Sequence, residues 1–492
     1  MSSRASDDSN RSSAGASGVP ALADDLRAYH RNEQASFHMP GHKQRLSGMH
    51  PLAADLLGEA AVRADVSEMG GFDYLHAPEG PIATAQARAA EVFGAERTFF
   101  LVNGSTGGNL SAITAFAGDG DRVLMLRGSH RSVYTATAVS GAAPRYLPMV
   151  RDLQRDGWFV AEPPGREQQT DNLAVIHVTR PNYYGMACDL RPYVELAERT
   201  RAVLVVDEAH GSHFGLHPGL PRSALQEGAD VVVQSTHKTL GSLTQASMLH
   251  VRGTRADPDR IARSLQMLQS SSPSALLTIS LDLATSHIAS EGHALMDRTL
   301  ALAQIVRTAV AGIDGLVSIG ADIVDERITA LDPTKIVIDV HALGCNGFQA
   351  ARFLKEHERI NVELADHRRI ICSLTIGDDV ESVGTLVRAL TSLARSPWTV
   401  ARHPDACLPT IPPMVETPRR ALQLPTQVVP LADAVDRTCA EYVIPYPPGI
   451  PIVVPGERLM ADVLASIEGF RGAGSRIVGP VDATGQRLHV LA

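Results

Sequence analysis

The stretch AVLVVDEAHGSHFG (residues 202–215), followed by DVVVQSTHKTLGSLTQ (230–245), decides the fold. Each part opens with a short apolar run that stops at polar residues: the first stops at Asp207, and the second leads through QSTH to Lys238. Apolar runs of about 4–8 residues with polar boundaries are typical of strands that are buried on both faces. The two runs therefore predict two strands of a largely parallel sheet.

The same pattern continues along the chain on both sides of this stretch. Further strands are predicted at 98–102, 122–126 and 173–178, and helices at 22–30, 82–93 and 109–116. Strands that alternate with helices indicate an α/β fold with a mainly parallel sheet. The stretch 265–313 has few helix-breaking residues and predicts one long helix. After it, a smaller α/β unit is predicted, with strands at 335–340 and 370–375 and helices at 346–358 and 379–395.

The length of 492 residues exceeds a typical domain of about 100–200 residues, so several domains are expected. A beginning rich in Ser, Ala and Gly predicts disorder, and prolines from Pro397 to Pro418 indicate a boundary near residue 400. We predict a disordered tail (1–20), an N-terminal arm (21–60), a large domain (61–312), a small domain (313–400) and a C-terminal α+β module (401–492).

Composition excludes several classes of protein. A net charge of −9 argues against a nucleic-acid-binding surface. No run of about 18 apolar residues is present, so no membrane span is expected. The five cysteines are scattered, which suggests neither a zinc knuckle nor a disulfide framework and favours a reduced, cytoplasmic location. They are Cys188, Cys345, Cys372, Cys407 and Cys439.

Polar side chains that could bind a ligand or take part in catalysis follow four of the predicted strands. In open parallel sheets, ligands bind beyond the carboxyl ends of the strands, so these groups are expected to converge at one edge. The four groups are NGSTGGN (103–109), RGSH ending at His130, Asp207 with His210, and Ser235, His237 and Lys238.

The glycine-rich group suits an anion. Gly104, Gly107 and Gly108 let the backbone approach closely, Ser105 and Thr106 add hydroxyl donors, and the following helix directs its positive end to the same place. We predict a loop that binds a phosphate monoester, although an ordinary strand-to-helix turn would look similar.

Asp207 and Lys238 are unusual residues for strand ends. A buried acid costs several kcal/mol unless it is paired, and a protonated pyridine nitrogen would pair with it; capping of the next helix is the alternative. A desolvated lysine has a lowered pKa and attacks aldehydes readily; a solvated loop lysine is the alternative.

The histidines complete the set. His130 is expected to stack on an aromatic cofactor or to be a packed histidine, and His237 to donate to a phosphate. His210 and His213 lack further ligands at metalloprotease-like spacing, so no metal site is predicted. Taken together, a phosphate cup, an acid, a lysine and a stacking group fit pyridoxal 5'-phosphate.

Several long motifs resemble those of the ornithine/lysine/arginine decarboxylases, which have the aspartate-aminotransferase-like fold type I of pyridoxal-phosphate enzymes. The resemblance runs in the same order from about residue 35 to 460, without the N-terminal wing domain of the larger members. The motifs are FHMPGHK (37–43), DVSEMGGFDYLHAPEGPI (65–82), FLVNGSTGGN (100–109), DEAHGSHFG (207–215), DVVVQSTHKTLGSLTQ (230–245) and YPPGIPIVVPGE (446–457).

The resemblance implies a role for each matching residue. Lys238 is similar to the lysine that carries the cofactor as a Schiff base, Asp207 to the acid that pairs with the ring nitrogen, and His130 to the histidine stacked on the ring. Ala209 is similar to the small residue beneath the ring, with His210 beside it among the cofactor contacts. The implied phosphate contacts are Ser105, Thr106, Gly107, Ser235 and His237.

The sequence departs from the family pattern in three places. Arg131 follows the stacking histidine where Lys is common, and Gly107 stands where some members carry a hydroxyl. In TRPNYYG (179–185), Asn182 and Tyr184 replace the more usual Thr and Asp. The last departure leaves the identity of the substrate open.

We therefore expect decarboxylation of a basic L-amino acid (arginine, lysine or ornithine) to the amine and carbon dioxide, as in polyamine biosynthesis. His130 or Lys238 would return the proton to the α-carbon. The resemblance also implies a homodimer or higher homo-oligomer. An acidic pocket is expected to receive the distal cation, with Glu68, Asp73, Glu79 and Glu441 as candidates.

Two other functions remain open from the sequence. An aminotransferase or a decarboxylating oxidase would use the same cofactor residues, and Arg368 or Arg369 could then bind the α-carboxylate. A non-catalytic paralogue is the second alternative, although Lys238, Asp207 and His130 are all present.

Overall fold

The computed structural model describes residues 20–31, 35–152, 158–165, 170–398, 409–446, 449–482 and 484–492. The predicted tail and Cys407 lie outside these ranges. In the first 311 residues, the helices are α1 Ala21–Arg31, α2 Ala53–Ala64, α3 Pro81–Phe93, α4 Gly104–Phe116, α5 Arg131–Ser140, α6 Arg191–Thr200, α7 Thr236–Thr239, α8 Pro258–Leu268 and α9 Ala275–Ala311. The strands are β1 Arg97–Leu101, β2 Arg122–Leu126, β3 Ala143–Leu147, β4 Met149–Asp152, β5 Trp158–Ala161, β6 Leu173–Thr179, β7 Met186–Cys188, β8 Val203–Asp207, β9 Val231–Gln234 and β10 Ser247–Val251.

The central sheet contains seven strands in the order β1-β10-β9-β8-β6-β2-β3. Only β10 runs against the others, since it pairs antiparallel with both β1 and β9. The carboxyl ends of the six remaining strands therefore meet at one edge of the sheet. The prediction of an α/β fold with a mainly parallel sheet is confirmed.

Helices cover both faces of this sheet, which explains why its strands read as continuous apolar runs. On one face, Ile113 of α4 packs with Val205 of β8 and Val233 of β9. On the other, Leu196 of α6 packs with Leu204 and Val206. Every residue of β8 is buried, down to Asp207 at its end.

Residues 312–398 form a smaller sheet packed on the end of α9. The elements are β11 Val317–Ser318, β12 Ile328–Leu331, β13 Lys335–Asp339, α10 Gly347–His357, β14 Leu364–Ala365, β15 Arg369–Ser373 and α11 Val380–Arg395. Four of the strands pair antiparallel in the order β11-β13-β15-β14. The remaining strand, β12, pairs with β7 and so connects this unit to the central one.

The last described residues form a third unit of short strands and two helices. Its elements are α12 Pro418–Ala421, β16 Thr426–Pro430, β17 Ile444–Tyr446, α13 Ala461–Ala473, β18 Arg476–Val478 and β19 Arg487–Leu491. This unit is joined to the central sheet by a buried ion pair. Arg127, just after β2, donates to both carboxylate oxygens of Glu457, at 2.6 and 3.0 Å.

Two local predictions were wrong. The glycine-rich group after β1 is not a loop, because α4 begins at Gly104. A Cβ on Gly108 would lie 2.6 Å from Val233 Cγ1 and 2.8 Å from Leu101 Cδ1. This glycine is therefore needed because the helix lies directly on the sheet.

The long helix predicted at 265–313 is two helices, α8 and α9, separated at residues 269–274. Pro273 lacks a backbone N–H and disfavours helical geometry in the residue before it, so one helix cannot run through this segment. The break also frees the side chain of Gln269, which accepts a hydrogen bond from Val102 N–H at 2.8 Å.

Candidate active site

The carboxyl ends of β1, β2, β6, β8 and β9 surround a cavity of about 410 Å³. All four polar groups predicted from the sequence contribute side chains to it. The predicted residues that line it are Ser105, Thr106, His130, Asp207, Ala209, His210, Ser235, His237 and Lys238. Gly107 does not line it: this residue is buried in α4, and its N–H donates to the Asn103 carbonyl.

Asp207 is held from two sides at the bottom of the cavity. One carboxylate oxygen accepts from Asn109 Nδ2 at 2.8 Å, and the other accepts from the Ala209 N–H at 3.1 Å. Asn109 Nδ2 also donates to Ser132 Oγ, which lies 2.8 Å from His130 Nδ1. The acid and the histidine are thus fixed by one buried hydrogen-bonded chain.

Lys238 stands in the cavity on the short helix α7, where solvent still reaches it. Its Nζ lies 3.0 Å from His210 Nε2. The surrounding protein lowers the pKa of the Lys238 amine by desolvation, while the Asp207 charge raises it and the Lys335 charge lowers it. A lysine with a lowered pKa is a better nucleophile at neutral pH.

The histidines around Lys238 are held in their neutral form. Burial, followed by the charges of Lys238 and Lys335, lowers the pKa of His210 well below its usual range. Desolvation also lowers the pKa of His130, against the opposing effect of Asp207. His237 Nδ1 lies 2.7 Å from the Ala246 carbonyl, which orients that ring at the cavity wall.

The implied cofactor, pyridoxal phosphate, fits these groups. The Ser105 and Ser235 hydroxyls are 2.5 Å apart at the first turn of α4, a position that favours a phosphate. Asn109 Oδ1 and Thr179 Oγ1 line the same cavity and have no hydrogen-bond partner among the described residues. A ligand with both donors and acceptors would use these atoms.

Sequence reasoning missed several residues of the cavity. Asn109 was interpreted only as the start of a helix, although a polar residue on the buried side of α4 is a detectable signal. Tyr183 and Gln245 come from loops and gave no local signal. Gly104, predicted for the phosphate group, lines the cavity, and the lining residues given no role are Asn103, Asn109, Thr179, Pro181, Tyr183, Thr244 and Gln245.

None of the four acids considered for the substrate pocket lines this cavity. The Asp73 carboxylate accepts backbone N–H groups of Gly80 and Ile82 at the start of α3. Glu441 accepts backbone N–H groups of Val481 and His489. Glu68 and Glu79 lie outside the cavity on the segment before α3.

A carboxylate from the smaller α/β unit influences the lysine amines at the cavity. The charge of Glu363 raises the pKa of Lys238 and that of Lys335. Glu363 also lines a second cavity of about 720 Å³, together with Ser373 and the acids Asp378, Asp379 and Glu381. Two of these acids also accept backbone N–H groups, Asp378 from Thr375 and Asp379 from Ser382.

The two arginines considered for an α-carboxylate are already paired. Arg368 contacts Asp339, and Arg369 Nη1 lies 3.5 Å from Asp366. Neither arginine lines the cavity around Lys238. Their guanidinium groups brace the β13–β15 edge of the smaller sheet.

One group of possible metal ligands occurs among the described residues, away from the cavity. It consists of His217, His293 and Asp297, whose ligand atoms lie within 4.8 Å of one another. However, His217 Nδ1 accepts the Gly219 N–H at 3.0 Å. Its Nε2 therefore carries the proton and donates to Asp297, so this nitrogen has no lone pair for a metal.

The central sheet and the cavity at its strand ends define an enzyme of fold type I, the fold shared by lysine decarboxylases and aminotransferases. Constitutive lysine decarboxylase of Escherichia coli superposes with a TM-score of 0.80 at 21% identity, over 96% of this chain and 82% of that one. Alanine–glyoxylate aminotransferase of Nostoc sp. superposes with a TM-score of 0.52 at 19% identity, over 74% of this chain and 98% of that one.

The chain belongs to the ornithine/lysine/arginine decarboxylase family and is an amino-acid decarboxylase. The family's major domain matches residues 20–382, and its C-terminal domain matches 406–473. Arginine decarboxylase of Bacillus subtilis is 38% identical over 474 residues, which cover 95% of this chain and 96% of the relative. A lysine decarboxylase of Pseudomonas aeruginosa is 26% identical over 545 residues, covering 86% and 72%.

Proposed function

We propose that the protein uses pyridoxal phosphate to decarboxylate a basic L-amino acid, with arginine as the first substrate to test. The observation that carries this proposal is the single cavity in which Lys238, Asp207 and His130 meet the hydroxyls of Ser105 and Ser235. Arginine is favoured over lysine and ornithine by the names of the relatives at 36–38% identity.

Each residue has a chemical task in this proposal. Bound pyridoxal phosphate supplies an electron sink for the electron pair that remains when carbon dioxide leaves. Lys238 Nζ is the amine that would hold the cofactor through its aldehyde. Asp207, fixed by Asn109, holds a proton on the ring nitrogen and so keeps the sink strong.

The remaining residues bind, orient and return a proton. Ser105, Thr106, Ser235 and His237 would hold the phosphate at the start of α4. His130 and Ala209, which line the same cavity, would contact the ring. Lys238 Nζ or His130 would return the proton to the α-carbon by general-acid action.

Glu363 is our candidate for the residue that attracts the distal cation of the substrate. Its charge already acts on Lys238, and it lines the second cavity together with Ser373 and Glu381. A carboxylate recognises a guanidinium or an ammonium through charge-assisted hydrogen bonds. Glu363→Gln is then expected to raise KM for arginine about tenfold or more, with a smaller effect on kcat.

Location and assembly belong to the same proposal. In the described part of the chain, no helix is both long and apolar enough to cross a bilayer. The four described cysteines are free, which suits a reduced cytoplasmic location. The N-terminal arm exposes Phe37, Met39 and Leu56, at 94%, 66% and 78%, which favours a homo-oligomer in which a second copy covers them. Light scattering of the purified protein tests this assembly.

The experiment that tests the proposal is an assay of purified protein, supplied with pyridoxal phosphate, against arginine, lysine and ornithine. Carbon dioxide and product are measured together. Equal amounts of carbon dioxide and amine from one of these substrates are expected. A keto acid, or an aldehyde with ammonia, would instead assign transamination or oxidative decarboxylation.

A further inference from the structure

Behind Lys238 lies a second lysine, Lys335, which no family motif in the sequence singled out. It is the first residue of β13 and is only 3% exposed. Its Nζ donates to Ser373 Oγ at 2.6 Å and lies 3.3 Å from His210 Nδ1. The other nitrogen of that ring, Nε2, is the one that lies 3.0 Å from Lys238 Nζ. One imidazole therefore stands between two lysine amines.

The stem of Lys335 is held in this position by a close backbone contact. Gly185 packs on it so tightly that a Cβ there would lie 2.9 Å from Lys335 Cβ and 3.0 Å from its Cγ. The adjoining residue Asp332 donates its N–H to the Gly185 carbonyl at 2.8 Å. The Lys335 amine thus has little freedom to leave His210.

A neutral imidazole has one N–H, so one ring nitrogen donates and the other accepts. An ammonium group can only donate. If Lys335 is the charged lysine, His210 Nδ1 must accept, and the ring proton must lie on Nε2, facing Lys238. Lys238 then serves as the acceptor, which requires its nitrogen to be unprotonated.

The charges around the two amines favour this arrangement. Burial lowers the pKa of Lys335, but its carboxylate neighbours Glu363 and Asp332 both raise it. Burial also lowers the pKa of Lys238, the charges of Asp207 and Glu363 raise it, and the charge of Lys335 lowers it. Moreover, Asp207 is committed to the ring nitrogen in the function proposed above, on which this inference rests. Lys335 is therefore the lysine that keeps its proton.

We propose that Lys335 is a positioning residue that holds His210 as the Nε2-protonated tautomer, so that His210 donates a hydrogen bond to Lys238 Nζ. Lys238 is thereby kept as a free base, the form in which it binds the cofactor aldehyde and exchanges with the substrate amine. Lys335 does not line the cavity, so beyond the direct effect of its charge it acts on the chemistry through the His210 ring.

Several other groups face this ring and bear on any titration. Lys238 and His237 come from α7, Lys335 from β13 and His130 from the residue before α5. The Tyr183 ring lies edge-on to His210, with 5.1 Å between ring centroids. The carboxylates of Asp207 and Glu363 act on the two lysines.

The test is a pH titration of the visible absorbance of the cofactor bound to the holoenzyme. In the wild type, the donor at Nε2 favours the unprotonated Lys238 nitrogen and lowers the midpoint. Lys335→Met removes the ammonium and keeps the length of the side chain. The midpoint is then expected to rise by about one unit or more, because His210 can now turn a lone pair toward Lys238. Lys355→Met, on the exposed surface of α10, is the matched control and should leave the midpoint unchanged.

A double variant separates the tautomer from a simple effect of charge. In a His210→Leu background, only the direct effect of the Lys335 charge on Lys238 remains, so Lys335→Met should produce a much smaller shift of the midpoint. A shift as large as in the wild-type background would overturn the proposal, because Lys335 would then act through space. An unchanged midpoint in Lys335→Met itself would overturn it as well.

Two further outcomes, a variant that does not fold and a protein that binds no cofactor, can also be interpreted. If Lys335→Met does not fold, Ser373→Ala removes the second anchor of the ammonium and should raise the midpoint in the same direction. If the wild-type protein binds no pyridoxal phosphate, the proposed function fails first. If it binds the cofactor but the variants titrate like the wild type, the proposed function stands and the role of Lys335 fails.

Discussion

Lys238 Nζ is the one amine of the described residues that lines the strand-end cavity, so its removal should be decisive. Lys238→Ala is expected to abolish release of carbon dioxide and the visible absorbance of the bound cofactor, because no neighbouring amine reaches the same point. Lys355→Ala is a suitable control, since Lys355 is exposed on α10. Turnover like that of the wild type in Lys238→Ala would refute the assignment.

At Asp207, the effect of the carboxylate charge can be separated from the effect of the side-chain shape. Asp207→Asn keeps the volume of the side chain but removes the charge that would hold a proton on the cofactor ring. We expect kcat to fall by about 100-fold or more, while pyridoxal phosphate remains bound through the phosphate cup. Absorbance gives the bound cofactor, and single-turnover kinetics give the chemical step. An unchanged chemical step would show that Asp207 is not the electrostatic partner of the ring.

The residues found from the sequence and those missed differ in a physical way. Asp207 could be predicted because it ends a buried apolar run, where a charge requires a reason, and Lys238 because it follows such a run within four residues. Lys335 and Glu363 could not, because they reach the site from the smaller sheet. Only tertiary packing brings Lys335 to His210, 125 residues away in sequence. No local pattern encodes such a contact.

Among the elements, α4 lies directly on the central sheet, and a substitution at Gly108 tests how closely the two are packed. Gly108→Ala would place a methyl group within 2.8 Å of Val233 and Leu101, so the helix must move outward. We expect a loss of about 1–3 kcal/mol in stability, a lower Tm and weaker cofactor binding, because Ser105 lies on the same helix. Gly118→Ala, which has no atom within 4 Å of the new Cβ, is the control. Equal Tm values for the two variants would contradict the packing argument.

Strand β10 contains a histidine that should make stability depend on pH. Burial lowers the pKa of His250 to about 3, between the Thr98 hydroxyl and the Gln234 amide. A histidine with a lowered folded pKa binds its proton more readily in the unfolded chain. Its contribution to stability is complete above about pH 6.5 and is lost as the pH falls from there toward the folded value.

The titration of His250 alone should lower the free energy of unfolding by about 2 kcal/mol between pH 7 and pH 5. His250→Gln, which cannot titrate, is expected to lower Tm at pH 7 but to flatten its dependence on pH. Thermal melts at pH 5, 6 and 7 measure this, with the exposed His293→Gln as the control. Parallel curves for His250→Gln and the wild type would show that His250 does not carry the acid sensitivity.

At the scale of the whole molecule, the Arg127–Glu457 pair connects the central sheet to the third unit. Both side chains are buried, and Arg127 also donates to the Ile452 carbonyl at 2.7 Å. Arg127→Met leaves Glu457 as an unpaired buried charge, so a loss of about 3–5 kcal/mol is expected. The variant should also bind the cofactor less tightly, because Arg127 precedes the turn that positions His130.

An exposed ion pair provides the comparison. Arg97 and Asp259 are 2.8 Å apart, but both side chains are largely in solvent, so Arg97→Met should cost less than about 1 kcal/mol. Calorimetry and a cofactor titration of both variants measure the two effects. If Arg127→Met lost stability but bound pyridoxal phosphate as the wild type does, the third unit would support the fold without supporting the site.

The buried pair also sets an order of events during synthesis. Glu457 leaves the ribosome 330 residues after Arg127, on the order of 15–70 s later at ordinary rates of translation. Until then, the guanidinium that precedes the His130 turn has no carboxylate to receive it. Nascent chains that stop before residue 457 are therefore born with an unfinished cofactor site, however complete their central sheet. Tight binding of the cofactor is therefore expected only after Glu457 has been synthesised.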